Sequence, residues 1–255
     1  MRKYGLIGYP LSHSFSQKYF TEKFGREQVR DIVYENYPLQ DISELSAILR
    51  DPQLRGLNVT IPYKELVIPF LHERNEIVRQ INACNCIRIE DGKLFGYNTD
   101  AIGFETSLLK KLRPHHTRAL ILGTGGRAKA VEYVVKKLGI DYIFVTRRPR
   151  PSTTDIPYEQ VNAEMISSHP LIINTTPLGM TPHTEGIPPL PYAAVTPEHY
   201  LFDLIYNPAR TLFLQQGEAR GAAVENGYEM LILQAEESWR IWQEAPGAPR
   251  PKAHH

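Results

Sequence analysis

The chain alternates short apolar runs with stretches whose apolar residues recur at helical spacing, and glycine, proline and polar clusters separate them. This alternation is typical of α/β folds, in which helices connect the strands of a sheet. The runs that predict strands are 3–8, 31–37, 56–61, 83–89, 94–97, 119–122, 141–145, 171–177, 200–208 and 222–226. The stretches that predict helices are 20–24, 42–49, 102–112, 130–138 and 229–243, with one more after Lys64 and one from Thr211.

The apolar run 119–122 leads into a glycine turn and then into a helical pattern. Gly123, Gly125 and Ala128 match G-x-G-x-x-G/A, which is the fingerprint of dinucleotide-binding sites. Glycine lets the backbone approach a pyrophosphate, and the N–H groups of the turn and the positive end of the helix face that anion. The pattern alone is weakly specific, so a plain strand-to-helix turn is the alternative.

Basic residues follow the next predicted strand, 141–145. A dinucleotide unit usually places Asp or Glu about 20 residues beyond the first glycine, where it holds the ribose 2′-hydroxyl of NAD. Here the sequence has Thr146, Arg147 and Arg148, with Arg150 close behind. Guanidinium groups favour a phosphate, so the sequence predicts NADP(H) as the cofactor. A solvated basic loop is the alternative.

The composition argues against several classes of partner. The 255 residues suffice for one large domain or two modest ones. Lys and Arg number 29 against 28 Asp and Glu, a balance that predicts no nucleic-acid or membrane partner. No apolar run is long enough to span a bilayer, and no signal-peptide pattern opens the chain. The two cysteines, Cys84 and Cys86, predict reduced packing residues in a cytoplasmic protein and no metal site.

Polar side chains follow several predicted strands, which is where α/β sheets place their ligands. Asn58, Thr60 and Lys64 follow one apolar run, and the polar segment 174–176 ends another. Ser14 and Ser16 stand just before a predicted helix, where hydroxyl groups either bind a carboxylate or cap the helix.

Together these residues resemble the shikimate dehydrogenase family, and the resemblance runs in order from Ile7 to Gln234. It is carried by Ser14-x-Ser16, Asn58-Val-Thr60-x-Pro62-x-Lys64, Asn85, Tyr97-Asn98-Thr99-Asp100, Gly123-x-Gly125-Gly126, Asn174-Thr175-Thr176-Pro177-Leu178-Gly179-Met180 and Asn226-Gly227-x-x-Met230.

The resemblance implies an α/β enzyme with two α/β domains and a cleft between them. Residues 1–101 and 228–245 would form the small substrate-binding and catalytic domain. Residues 102–227 would form the Rossmann-type NADP-binding domain, and 246–255 a disordered tail. The enzyme would reversibly reduce 3-dehydroshikimate to shikimate with NADPH, a step toward chorismate and the aromatic amino acids. For the oligomeric state, a homodimer is one possibility beside a monomer.

The resemblance also implies roles for individual residues. Lys64 and Asp100 match the catalytic pair, with Lys64 transferring the proton. The residues expected to bind substrate are Ser14, Ser16, Asn58, Thr60, Asn85, Asp100, Tyr206 and Gln234. Those expected to bind the cofactor are Gly123, Thr124, Gly125, Gly126, Arg127, Thr146, Arg147, Arg148, Asn174, Thr175, Thr176, Leu204, Gly227 and Met230. Packing is the alternative for Tyr206 and Met230, and an exposed helical position is the alternative for Gln234.

The sequence departs from the family pattern at four positions: Gln17, Cys86, Ala101 and Arg127. None of them removes a group that performs chemistry. The nearest alternative function is oxidation of quinate or shikimate by a sister enzyme, sometimes with NAD. A non-catalytic NADP(H)-binding module is the alternative from another class, and it would not need Lys64 and Asp100.

Overall fold

The computed structural model describes residues 1–12 and 14–244, which divide into two compact units. The first unit comprises Met1–Thr99 and the chain from Ala235 onward, and the second comprises Asp100–Gln234. The expected boundaries lay after residue 101 and before residue 228. The assignment of one unit to substrate and the other to cofactor stays a prediction at this stage. The expected disordered segment 246–255 lies outside the described residues.

The first unit contains a six-stranded mixed sheet with the strand order β2-β1-β3-β5-β6-β4. The first three strands in that order are parallel, whereas β5 pairs antiparallel with both β3 and β6. The strands are β1 (Arg2–Gly8), β2 (Ile32–Pro38), β3 (Leu54–Val59), β4 (Glu73–Arg74), β5 (Cys86–Glu90) and β6 (Lys93–Tyr97). The helices assigned wholly to this unit are α1 (Phe15–Arg26), α2 (Leu45–Ile48), α3 (Tyr63–Leu66) and α4 (Glu76–Ile81).

Both chain ends contribute to the core of the first unit. Helix α9 (Tyr228–Gln243) brings Trp242 against Tyr4 of β1, with ring centroids 4.8 Å apart. The Trp242 indole donates to the Ile87 carbonyl over 2.9 Å and lies directly over Gly56, where a Cβ would meet Nε1 at 2.3 Å. Gly56 is therefore required by packing, because any side chain there would displace the indole.

The second unit contains a five-stranded parallel sheet with the order β11-β10-β9-β7-β8. Numbered in chain order from β7, this is 5-4-3-1-2. It equals the doubly wound order 3-2-1-4-5-6 read in reverse with its third strand left out. An isolated parallel bridge, Val145 to Ile156, stands beside β8 where that strand would run. The strands are β7 (Arg118–Leu122), β8 (Asp141–Val145), β9 (Leu171–Asn174), β10 (Tyr200–Asp203) and β11 (Ala223–Glu225). The helices of this part of the chain are α5 (Thr99–Leu109), α6 (Gly126–Lys137), α7 (Ala163–Ser168) and α8 (Leu212–Glu218).

The predicted α/β architecture is confirmed, but three local expectations differ from the structure. The single helix expected after Lys64 is instead three short helical segments, α3, the 3-10 helix Ile68–Phe70 and α4, because Pro69 lacks the N–H that would continue α3. Helix α5 begins at Thr99 and ends at Leu109 instead of covering 102–112. Helix α7, whose Asn162 cap accepts from the Met165 N–H over 2.9 Å, was not predicted in the proline-rich segment.

Candidate functional site

A buried set of hydrogen bonds in the first unit holds Asn58, one of the predicted substrate residues. The Tyr34 phenol donates to Asn58 Oδ1 over 2.9 Å. The Asn58 amide nitrogen donates to Ser238 Oγ at 2.9 Å and to the Asn85 carbonyl at 3.3 Å. Asn58 is 5 % exposed and Ser238 is fully buried. The side chain of Asn58 is therefore fixed in one orientation at the end of β3.

Asn85 is fixed by the segment that precedes α5. Its Oδ1 accepts from the Thr99 N–H over 2.6 Å, and its amide nitrogen donates to Thr99 Oγ1 over 3.0 Å. Thr99 Oγ1 lies 3.2 Å from Ser238 Oγ, so this pair joins the set around Asn58. The structure thus brings together two residues that sequence analysis predicted separately.

Ser14 and Ser16 lie at the start of α1, and both make contacts within the protein. Ser14 caps the helix, since its Oγ accepts from the Gln17 N–H over 3.3 Å. Helix capping, one of the two alternatives for this serine, is therefore present. A hydroxyl that accepts one bond still has its own hydrogen to donate, so the cap does not exclude carboxylate binding. Burial raises the pKa of the Tyr34 phenol well above its ordinary value, and the nearby Ser16 hydroxyl opposes that rise.

A cavity of about 450 Å³ opens beside this end of α1. Ser14, Gln17 and Asn36 are among its lining residues. Gln17, which departs from the family pattern, accepts at Oε1 from the Asn36 amide over 2.9 Å.

Thr60 and Lys64 follow β3. The Thr60 N–H donates to the Ile7 carbonyl over 2.9 Å, and the Thr60 methyl packs so closely on Gly8 that a Cβ there would meet it at 2.4 Å. Lys64 is half-buried on α3, and its carbonyl accepts from the Cys84 N–H over 2.8 Å. Asp100 is half-buried on α5 and belongs to the second unit. The pairing of Lys64 with Asp100 stays a prediction.

In the second unit, the glycine turn connects buried β7 to α6. Gly123 has φ +93°, and a Cβ there would meet the Thr176 methyl at 2.8 Å, so the protein itself requires glycine at this position. Gly125 and Gly126 differ, because a Cβ on either would meet no described atom within 4 Å. Gly125 is the N-cap of α6 with φ −75° and offers no side chain to the helix. Glycine at these two positions keeps the backbone N–H groups of a helix start accessible to an anion.

Polar residues at the ends of β9 and β10 lie beside this turn. Thr175 donates through both its N–H and its hydroxyl to the Leu122 carbonyl, at 3.0 and 2.7 Å. Asn174 Oδ1 accepts from the N–H and the hydroxyl of Thr176, at 3.1 and 2.7 Å. The predicted cofactor residues 174–176 therefore pack against the turn at Gly123.

The arginines that follow β8 differ in whether they form an ion pair within the protein. Arg147 and Arg148 are exposed, and no described carboxylate forms an ion pair with either. Arg150 instead binds Asp155 through two guanidinium nitrogens, at 2.7 and 2.9 Å, and lies 4.9 Å from the Phe144 ring centroid. Thr146 is 9 % exposed, and its Oγ1 accepts from the Arg148 N–H at 3.4 Å. Of the three arginines, only Arg147 and Arg148 present their guanidinium groups for a phosphate.

The remaining predicted residues of the second unit group around β10 and the start of α9. A Cβ at Gly227 would meet the Leu204 carbonyl oxygen at 2.3 Å, so these two residues are in contact. The Met230 carbonyl lies over Gly103 of α5, where a Cβ would meet it at 2.6 Å. Gln234 is 8 % exposed and donates to the Leu231 carbonyl over 2.9 Å, so it is not an exposed helical residue. Tyr206 is 38 % exposed after β10, and it is not a core residue.

Sequence analysis missed Tyr34, Ser238 and Asp203 as residues that support the site. Asp203 is fully buried at the end of β10 and donors surround its carboxylate. A buried carboxylate in an apolar strand is the one signal that was available for Asp203. Both cysteines are buried and form no disulfide, and Cys86 lies on β5. Within residues 1–12 and 14–244, no three His, Cys, Asp or Glu side chains are grouped so as to hold a metal ion, and no helix is long and apolar enough to cross a membrane.

Comparison with known proteins gives a consistent result. Residues 6–87 match the family described as Shikimate dehydrogenase substrate binding domain. The curated shikimate dehydrogenase (NADP(+)) of Caldicellulosiruptor bescii is 36% identical over 261 residues, covering 95% of this chain and 89% of that protein. Shikimate 5-dehydrogenase from Thermus thermophilus, solved in complex with NADP(H) and shikimate, has a TM-score of 0.83 at 28% identity, covering 95% of this chain and 94% of that one. Quinate dehydrogenase from Corynebacterium glutamicum, solved in complex with NAD, has a TM-score of 0.84 at 26% identity, covering 95% and 93%.

Proposed function

The chain belongs to the shikimate dehydrogenase family, and from that premise we propose how its residues carry out the NADPH-dependent reduction of 3-dehydroshikimate to shikimate. The observation that carries this proposal is the buried set of hydrogen bonds that fixes Asn58 and Asn85 at the ends of their strands. Fixed amide groups of this kind recognise ring hydroxyls with little loss of side-chain entropy on binding. The first unit is accordingly proposed as the substrate domain, and the second as the NADP domain.

The substrate carboxylate is proposed to bind at the start of α1. Ser14 and Ser16 each have a hydroxyl hydrogen, and the amino end of a helix favours negative charge. Asn58, Thr60, Asn85 and Asp100 are proposed to bind the ring hydroxyls, and Tyr206 and Gln234 to close over the ring.

Lys64 is proposed as the group that transfers the proton. In the reductive direction, its ammonium stabilises the substrate oxygen as that oxygen gains negative charge, and then protonates it. In the reverse direction, a neutral Lys64 accepts the hydroxyl proton. Asp100 is proposed to orient the ammonium and to bind a neighbouring hydroxyl.

The second unit has the features that NADP(H) requires. The glycine turn and the start of α6 would hold the pyrophosphate, and Thr146, Arg147 and Arg148 the 2′-phosphate. Leu204, Gly227 and Met230 are proposed to lie near the nicotinamide, with 174–176 along the cofactor. When bound, NADPH supplies the hydride that reaches the ketone carbon. Arg127, on the first turn of α6, is proposed to face a cofactor phosphate.

The test is a set of initial-rate assays that pair shikimate or quinate with NADP⁺ or NAD⁺ and follow the absorbance of the reduced nicotinamide. Shikimate with NADP⁺ should give the highest kcat/KM of the four pairs. Faster oxidation of quinate, or a preference for NAD⁺, would assign the chain to the sister activity. NADPH binding without turnover of any pair would indicate a binding module.

Two further points are part of the proposal. Cys84 and Cys86 are buried and form no disulfide, which supports a cytoplasmic location because thiols stay reduced there. The protein is either a monomer or a homodimer, and light scattering on the purified chain distinguishes the two oligomeric states.

A further inference from the structure

Asp203 stands at the carboxyl end of β10 and is completely buried. Three donors surround its carboxylate. Oδ1 accepts from the Asn174 amide and from the Ile205 N–H, both at 3.0 Å, and Oδ2 accepts from the Thr211 hydroxyl at 2.6 Å. A charged acceptor with three donors is a strong restraint, because each charge-assisted bond exceeds a neutral one in strength.

One of these donors connects Asp203 to the glycine turn. Asn174 lies opposite Asp203 in the parallel register of β9 and β10. With its nitrogen held by Asp203, Asn174 directs Oδ1 at the N–H and hydroxyl of Thr176. The Thr176 methyl in turn lies against Gly123, where it would be 2.8 Å from a Cβ. A change at Asp203 therefore reaches the turn through two side chains.

The other donor on Oδ1 fixes the segment that follows β10. The Ile205 N–H binds Asp203, while the Ile205 carbonyl accepts from the Gly227 N–H over 3.0 Å. The preceding Leu204 N–H donates to the Asn174 carbonyl over 3.0 Å. The Asp203 carboxylate thus holds Ile205, and the Ile205 carbonyl holds Gly227. The segments at Leu204 and at Gly227 are the two proposed to lie near the nicotinamide.

We propose that Asp203 is a positioning residue for NADP(H), which holds Asn174 and the 204–206 segment in the conformation that binds the cofactor. This inference rests on the proposed function. Asp203 acts through its neighbours and does not itself contact the cofactor.

The charge state of Asp203 supports this role. Burial raises the pKa of the carboxyl to about 6, although the bonds from Thr211, Ile205 and Asn174 oppose that rise. The positive charge of Arg127 on α6 also lowers the pKa of this carboxyl. Tyr192, in the 3-10 helix Tyr192–Ala194, is the other titratable group close enough to interact with this carboxylate. Protonation removes the charge that strengthens these bonds, and a proton on Oδ2 makes the Thr211 hydroxyl accept where it now donates.

The test compares NADP⁺ dissociation constants of the wild-type chain and of Asp203→Asn by calorimetry, from pH 5 to pH 8. The amide keeps the size of the side chain but removes its charge. We expect binding at pH 7.5 to weaken roughly tenfold, because the bonds from Asn174 and Ile205 lose the charged acceptor that strengthens them. Wild-type binding should also weaken as the pH falls through 6. The cofactor 2′-phosphate titrates in the same range in both proteins, so the difference between the two profiles isolates Asp203.

Controls separate this inference from the proposed function and from misfolding. Glu218→Gln on α8, which changes an exposed pair with Arg210, should bind NADP⁺ as the wild type does. If Asp203→Asn does not fold, Thr211→Val should still weaken binding relative to Thr211→Ser, which keeps the hydroxyl. A folded Asp203→Asn with wild-type affinity and an unchanged pH profile overturns the inference, as does equal binding by the two Thr211 variants. A wild-type chain that does not bind NADP⁺ refutes the proposed function itself.

Discussion

The Tyr34 phenol donates to Asn58 Oδ1 over 2.9 Å, and the two residues are 24 positions apart, on the strands β2 and β3 that flank β1. Ser16 lies close enough to the same phenol to influence its pKa. One buried phenol therefore stands beside the serine proposed to bind the substrate carboxylate and holds the asparagine proposed to bind a ring hydroxyl.

Replacing Tyr34 by Phe should raise the KM for shikimate several-fold and leave the KM for NADP⁺ unchanged. The change leaves Asn58 Oδ1 buried with one bond fewer, which should also lower the free energy of unfolding by about 1–3 kcal/mol. Initial-rate kinetics and urea unfolding measure the two effects. Tyr37→Phe on the same strand is the matched control, since it only removes a bond to Glu35. An unchanged shikimate KM in Tyr34→Phe would show that Asn58 does not depend on the phenol.

Replacing Lys64 by Ala should lower kcat by about 10²–10⁴-fold, the range that general acid–base groups contribute. The variant should fold and bind NADPH normally, because the glycine turn and the arginines lie elsewhere in the chain. Turnover assays with NADPH titration by fluorescence measure both properties. Lys93→Ala on β6 removes an exposed lysine and should behave as the wild type. Near-normal turnover in Lys64→Ala would refute the assigned role.

Replacing Arg147 by Ala should raise the KM for NADPH about tenfold, since a charge-assisted bond to phosphate is lost, and lower kcat much less. The KM for NADH should not change, because NADH lacks the 2′-phosphate. Arg150→Ala provides the control: its guanidinium is bound to Asp155, so NADPH kinetics should be close to wild type. Equal effects on NADPH and NADH would remove the basis for cofactor selection by Arg147.

The stability of the protein should fall as the pH decreases from 8 toward 6. Burial lowers the pKa of both His116 and His169 below the ordinary value of a histidine. The unfolded chain therefore takes up protons near pH 6.5 that the folded chain does not, and each such proton contributes up to about 1.4 kcal/mol per pH unit. Below about pH 6 Asp203 acts in the opposite direction, because its raised pKa lets the folded chain bind a proton first.

Urea unfolding at several pH values between 6 and 8 measures this slope. His116→Gln should make it shallower, because the folded and unfolded chains then differ by one proton fewer. His183→Gln is the control, since that side chain is 84% exposed. An identical slope in wild type and His116→Gln would contradict the assignment.

The sequence alone predicts the parts of the site that depend on local pattern. The turn at Gly123 is recognisable because a buried strand, three small residues and a helix follow one another within a short segment. The NADP(H) prediction rests on adjacent residues in the same way, and the family comparisons confirm it.

The supporting residues could not be predicted, because their partners are remote in the chain. Ser238 binds Asn58 from 180 positions away, and nothing near either residue signals the other. Arg150 differs from Arg147 and Arg148 because its guanidinium binds Asp155. Asp155 is near in sequence, but only the fold of the loop places its carboxylate 2.7 Å from Arg150 Nε. Strand β4 has two residues, too few for any periodicity to appear.

The indole of Trp242 over Gly56 has a consequence for synthesis of the protein on the ribosome. The first unit needs residues from both ends of the chain, whereas Asp100–Gln234 is one continuous segment. During translation β1 to β6 are made first, but the first sheet lacks the ring that covers Gly56 and Tyr4 until Trp242 has been made, after the whole middle segment. The part of the protein that is made first is therefore the part whose folding finishes last.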